Sequence, residues 1–249
     1  TFPEQAYAVF PGLNPDWNTE VFRFTYSSLL TPNSVYDYNV ETRERELKKR
    51  QEIPSGYDPE HYRVERLMLP ARDGTDVPVS LLLPRDAPLD GSNPLLLHGY
   101  GAYGTNTEPA FNSTVLSLVD RGFIYAIAHV RGGQEMGRTW YDSGKMLAKL
   151  NSFHDFIDVA SELVHRGYTR PDRLVASGGS AGGLLVGAVA NMRPDLFRAI
   201  VAEVPFVDVI STMLDASLPL TAQEWEQWGN PLMEAEYRYM LRYSPYDNV

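Results

Sequence analysis

The sequence predicts an α/β architecture over residues 61–249, a mostly parallel sheet with helices on both faces, preceded at 1–60 by a small all-β segment. Three observations carry this reading. Short runs of alternating polar and apolar residues fill the first sixty positions, and after residue 61 continuous apolar runs alternate with helical periods. A Gly-x-Ser-x-Gly sequence, Gly178 to Gly182, lies where one of those apolar runs meets one of those helices.

In the first segment, "EVFRFTYSSL", "SVYDYNVE" and "RERELKKRQ" are rich in Val, Phe, Tyr and Thr and are separated by "LTPN" and "TR", which predicts a meander of antiparallel strands. Three or four strands in about 45 residues have the size of one β-propeller blade. Such a blade has its faces covered by its neighbours in the ring. The basic run from Arg43 to Arg50 is interleaved with Glu44 and Glu46 and reads as an exposed edge strand.

From His61 the pattern changes. "HYRVERLMLPARDGTDVPVSLLLP" predicts a hairpin turning at Asp73-Gly74. "PLLLHGYG", "FIYAIAHVRGG", "RLVASGG" and "RAIVAEVP" predict buried strands. Between them, "FHDFIDVASELVHRG" places Phe153, Phe156, Ile157, Ala160 and Val164 on one helix face ending at Gly167, and "AGGLLVGAVANM" is a second helix. Strands and helices alternating in this way imply right-handed crossovers and a parallel sheet.

Composition narrows the function. The 249 residues are 43% hydrophobic and 22% charged, with a formal charge of -10, which fits a soluble globular protein and argues against nucleic acid as partner. No apolar run is long enough to span a bilayer, and "TFPEQAYAVFPG" lacks the character of a signal peptide, so no membrane partner is expected. The absence of cysteine excludes a thiolate nucleophile and fits a cytoplasmic setting. No metal and no cofactor are expected.

The chemistry centres on Ser180. A Gly-x-Ser-x-Gly between a strand and a helix is a sharp turn that holds the serine oxygen clear of the sheet, and the helix that follows aims its first amides at a developing oxyanion. Upstream, "HGYGAYG" from His98 to Gly104 leaves its strand in a loop from which the hydroxyl of Tyr100 or Tyr103 can donate to such an oxyanion. The stretch from Ala199 to Tyr237 holds seven acidic residues, Glu203, Asp208, Asp215, Glu224, Glu226, Glu234 and Glu236, and no lysine or arginine. A carboxylate cluster of this kind suits a cationic ligand, since a desolvated guanidinium needs carboxylate partners.

"HGYGAYG", "DRGFIYAIAHVRGGQEMGRTWY", "GGSAGGLL", "VPFVDVISTMLD", "PLTAQEWEQWGNP" and "YSPYDNV", in this order, closely resemble the prolyl oligopeptidase family and, within it, the oligopeptidase B group. The resemblance implies an α/β-hydrolase catalytic domain at 61–249 and the last blade of a β-propeller at 1–60. It implies a serine endopeptidase that hydrolyses short peptides after Arg or Lys through an acyl-enzyme, in the cytoplasm, as a monomer or small homo-oligomer. By the same resemblance Ser180 is the nucleophile, the Tyr100 hydroxyl and the Ala181 amide form the oxyanion hole, and Glu224 and Glu226 hold the basic side chain of the substrate. Glu108 stands in for one of two family aspartates that bind a further basic residue, and Ala110 replaces the other.

In α/β-hydrolases the carboxylate and histidine of the triad follow the serine. All five histidines here (His61, His98, His129, His154 and His165) precede Ser180, and His98 is the least unlikely substitute. The expectation is therefore that these residues are part of a longer enzyme and are inactive alone. Two alternatives remain open, a short non-catalytic protein that binds cationic peptides and a carboxylesterase on the same fold. Glu203 and Asp208 are the next candidates should Glu224 and Glu226 not read charge.

Overall fold

The computed structural model describes residues 2–249, which fall into two compact units. The first contains the residues up to Arg66 together with Ser80–Ala87 and Glu108–Tyr125. The second contains Leu67–Val79, Pro88–Thr107 and Ala126–Val249. The units interleave along the chain, whereas the sequence places one boundary at residue 60.

The first unit carries four antiparallel strands, β1 (Tyr7–Pro11), β2 (Val21–Ser28), β3 (Ser34–Asn39) and β4 (Arg45–Arg50), hydrogen-bonded in that order. Alternation along the strands explains the pairing. Phe24 lies opposite Tyr36 with ring centroids 5.5 Å apart, and the preceding pair, Arg23 opposite Asp37, makes an ion pair of 2.7 Å. Neighbouring positions point to opposite faces, so the aromatic pair takes one face and the ion pair the other. β4 is an edge strand and is exposed along its whole length, as its mixed charges predict. Helix α1 (Ser113–Val119) starts at Asn112, whose side chain accepts from the Thr114 amide, and it buries Val115, Leu116 and Val119.

A second sheet has the order β10-β9-β7-β8-β6-β5. Its strands are β5 (Tyr62–Pro70), β6 (Asp76–Pro84), β7 (Leu95–His98), β8 (Ile124–Ala128), β9 (Leu174–Gly179) and β10 (Ala199–Glu203). The predicted hairpin turn is present at Asp73-Gly74: Gly74 has φ +83°, the Ala71 amide donates to Thr75 O, and the Asp73 carboxylate accepts from the Thr75 amide. β9 runs parallel to β7 and to β10, with His98 opposite Ser177 and Glu203 opposite Gly179. In parallel sheets ligand sites form beyond the carboxyl ends of the strands. Here that edge presents the loop after β7 beside the turn after β9.

The helices of the second unit are α2 (Arg138–Asp142), α3 (Leu150–His165), α4 (Ala181–Met192), α5 (Val209–Leu214), α6 (Thr221–Trp228) and α7 (Glu234–Leu241). α3 buries Phe153, Phe156, Ile157 and Ala160 as the sequence predicts, but Leu163 takes the last core place and Val164 is only half-buried. Its end is set by Gly167 at φ +78°, a left-handed stop that only glycine adopts at low cost. α4 is apolar on nearly every side and is correspondingly buried, packed on β9, β10 and α3. Arg131, beyond β8, pairs with the fully buried Asp155 of α3 at 2.6 Å and with Asp73 at 2.7 Å. Among the described residues no helix is long and apolar enough to cross a membrane.

Candidate active site

Ser180 sits between β9 and α4 with φ +55° and ψ -115°, a left-handed conformation that a side chain enters only under strain. Neighbouring glycines make the turn possible. A Cβ on Gly178 would stand 2.2 Å from the Gly182 carbonyl oxygen, and one on Gly182 would stand 2.6 Å from that of Gly99. The backbone is pinned on both sides: Ser180 N donates to Glu203 O at 2.9 Å, and Ser180 O accepts from Phe206 N and from Leu184 N, each at 3.2 Å. With its main chain held in the fold, the serine itself remains exposed.

Because β7 lies beside β9, the loop from Gly99 to Gly104 enters next to this turn. Gly182 is required here for a second reason, since its missing side chain would lie 3.3 Å from Tyr100 Cα. The Tyr100 side chain lies near enough to Ser180 for the two hydroxyls to interact. Burial raises the pKa of this phenol, with the interaction with Ser180 opposing and the charge of Glu224 adding to the effect, so the group stays a protonated donor. Ala181 is the first residue of α4, and its amide has no acceptor within the helix. A hydroxyl and an amide donor thus lie close to Ser180, where they can donate to an oxyanion formed on a carbonyl that the serine attacks.

Ser180 opens into a pocket of about 180 Å³. Ala181, Phe206, Met213, Pro219 and Leu220 supply apolar walls, Tyr103, Thr212 and Thr221 polar edges, and Glu224 its single carboxylate. Glu224 Oε2 accepts the Tyr103 hydroxyl and the Trp228 indole N–H, each at 2.6 Å. Tyr103 has φ +60°, and burial followed by its bond to Glu224 pushes its pKa up. The Trp228 ring meets Tyr103 edge-on at 5.7 Å and Phe206 at 5.5 Å. An oriented negative charge in a largely apolar pocket fits a ligand with an aliphatic stem and a cationic end.

Ser180, Tyr100, Ala181 and Glu224 therefore come together. Glu226 does not join them: two positions along α6 turn it about 200° from Glu224, and it is exposed. Glu108 is half-buried and belongs to the other compact unit. Asp208 caps α5 by accepting from the Ser211 amide, and Glu203 is exposed at the end of β10. No histidine lines the pocket among the described residues. His98 instead meets Ser177 Oγ at 3.1 Å, and His129 is buried 3.5 Å from Glu135. No group of three His, Cys, Asp or Glu among the described residues is placed to hold a metal ion. The bonds that fix Glu224 were not anticipated from the sequence, although Trp228 stands four residues further along the same short helix, the spacing at which helical side chains meet.

The family model described as "Prolyl oligopeptidase family" matches residues 109–249. The chain belongs to the prolyl oligopeptidase family. Among its relatives in the family, it is 51% identical over 99% of its length to dipeptidyl aminopeptidase BI of Pseudoxanthomonas mexicana. It is 45% identical over its whole length to protease 2 of Moraxella lacunata. The chain spans about a third of each of these, 34% and 36%. Oligopeptidase B of Trypanosoma brucei, solved in a closed form with covalently bound antipain, superposes over the whole chain with a TM-score of 0.96 at 49% identity, and 36% of that chain is covered. Oligopeptidase B of Leishmania major gives the same TM-score at 46% identity, with 35% covered. The predicted fold class, an α/β-hydrolase sheet with a preceding propeller-type blade, is the one these structures share.

Proposed function

We propose that the complete protein is a serine endopeptidase that cleaves short peptides on the carboxyl side of Arg or Lys. The observation that carries this is the presence of Glu224 in the pocket onto which Ser180 opens, with its carboxylate oriented by Tyr103 and Trp228. Ser180 Oγ attacks the peptide carbonyl, Tyr100 and Ala181 receive the oxyanion, the amine departs, and water releases the acyl group. The attacking hydroxyl needs a general base. No histidine of the described residues lines the pocket, so the proposal assigns that role to a carboxylate-oriented histidine outside these residues, in the family's chain order.

The segment 1–60 is read as a propeller blade and 61–249 as part of the catalytic domain. Glu226, exposed beyond the pocket, and Glu108 are proposed to attract further positive charge on the peptide. The absence of cysteine fits a cytoplasmic enzyme, and the net charge of -10 fits cationic peptides rather than nucleic acid as partners; the complete enzyme is proposed to be a monomer or small homo-oligomer without a membrane partner. The test is turnover of arginyl, lysyl and norleucyl versions of one short peptide by the complete protein and its Ser180→Ala variant. Turnover of the basic peptides that disappears with Ser180 supports the reading. Turnover that persists in Ser180→Ala, or that favours norleucine, contradicts it.

A further inference from the structure

Lys149 precedes α3 and is 1% exposed. Burying an ammonium carries a desolvation cost, and burial pushes the pKa of this one down to about 7. The cation lies where both halves of the site converge. Nζ donates to the Gly101 carbonyl oxygen and, at 3.1 Å, to Ser152 Oγ, which in turn donates to Arg131 O at 2.5 Å. The same Nζ stands 5.3 Å from the centre of the Trp228 ring, whose N–H orients Glu224.

Gly101 follows Tyr100 directly, with φ +71°. A Cβ there would lie 2.6 Å from Val130 Cγ2 and 3.3 Å from Arg131 O, so Gly101 is pressed onto the end of the neighbouring strand with no side chain of its own to anchor this part of the loop. Its next main-chain tie is Gly104 N to Gly132 O at 2.9 Å. An apolar side chain would fill the place of Lys149 without the desolvation cost. What an apolar side chain lacks is a donor for the Gly101 carbonyl.

We propose that Lys149 is a positioning residue for the oxyanion site: its buried amino group, as donor to the Gly101 carbonyl, fixes the loop from Gly99 to Gly104 and thereby sets the Tyr100 hydroxyl beside Ser180. This rests on the reading of Tyr100 as an oxyanion donor. Lys149 touches no substrate and acts through the loop. A displaced donor weakens transition-state stabilisation and leaves ground-state binding nearly intact.

The test uses the complete protein, with rates expressed per Ser180 titrated by a fluorophosphonate. Lys149→Met is expected to lower kcat about 10- to 100-fold on arginyl and norleucyl peptides alike, with KM changed less than about threefold. In the Tyr100→Phe background, which has already lost the donor, the same substitution should cost less than about threefold. Should Lys149→Met fail to fold, Ser152→Ala removes one partner of the ammonium and should show a smaller kcat loss that likewise vanishes beside Tyr100→Phe. Losses that multiply with Tyr100→Phe, or a wild-type kcat in the variants, overturn the proposal. An inactive Ser180-intact wild type would instead defeat the peptidase reading itself.

Discussion

The Tyr103 hydroxyl donates to Glu224 Oε2 at 2.6 Å, joining the loop after β7 to α6 across 121 positions of sequence. The same loop carries Tyr100. Ser180, Tyr100 and Glu224, the proposed nucleophile, oxyanion donor and charge reader, therefore come from the turn after β9, the loop after β7 and α6.

Tyr103→Phe removes one of the two donors on Glu224 Oε2 and leaves the Trp228 bond. A hydrogen bond to a charged group contributes about 1.5 to 3 kcal/mol at most, and water can replace part of it at this exposed position. The expected loss in kcat/KM is about three- to tenfold for arginyl peptides and negligible for norleucyl ones, read by parallel kinetics. A loss of equal size on both would place Tyr103 in the oxyanion site instead.

Gly182→Ala puts a methyl group 2.6 Å from Gly99 O. The loop must retreat and Tyr100 moves with it, for an overpacking cost of about 1 to 3 kcal/mol. Steady-state kinetics should show a fall in kcat of about 100-fold or more, with a modest fall in melting temperature. Wild-type kcat in a folded Gly182→Ala protein would show that Tyr100 is not held by this approach.

The buried amine of Lys149 makes stability depend on pH. Its folded pKa is about 7 and its ordinary value 10.5, so between these limits the unfolded chain binds more protons. Unfolding free energy therefore rises with pH across that window, and the penalty is fully present below pH 7. Wild type should gain on Lys149→Met in melting temperature from pH 6 to pH 9. Parallel curves would mean that the amine keeps its charge throughout.

The parts of the fold legible in the sequence are those with a long enough pattern. β2, β3 and β4 show period-two alternation, β7 to β10 are continuous apolar runs, and the 16-residue α3 shows a full helical face. α5, α6 and α7 have six to eight residues each, too few turns for a period to emerge, and they are held by tertiary bonds such as Trp225 Nε1 to Met213 O at 3.1 Å. β1 ends at Pro11 and gives little alternation to read.

In the site, glycine spacing marks the two turns that carry Ser180 and the pair Tyr100 and Tyr103, while the choice of Tyr100 between the two comes from the resemblance to the family. The pairing of Glu224 with Glu226 followed from their resemblance to the family motif, and the helix between them points only one into the pocket. Lys149 gave no signal, since a lysine beside Ala148 and Leu150 reads as a surface residue until the fold closes over it.

The most direct measurement is kcat/KM of the complete protein and its Glu224→Gln variant on arginyl and norleucyl versions of one peptide. Glutamine keeps the shape and the acceptor oxygen but removes the charge, so the arginyl value should fall about 10- to 100-fold while the norleucyl value changes less than about threefold. Equal losses on both peptides, or no loss on either, would contradict the claim that Glu224 reads the positive charge of the residue whose carbonyl Ser180 attacks.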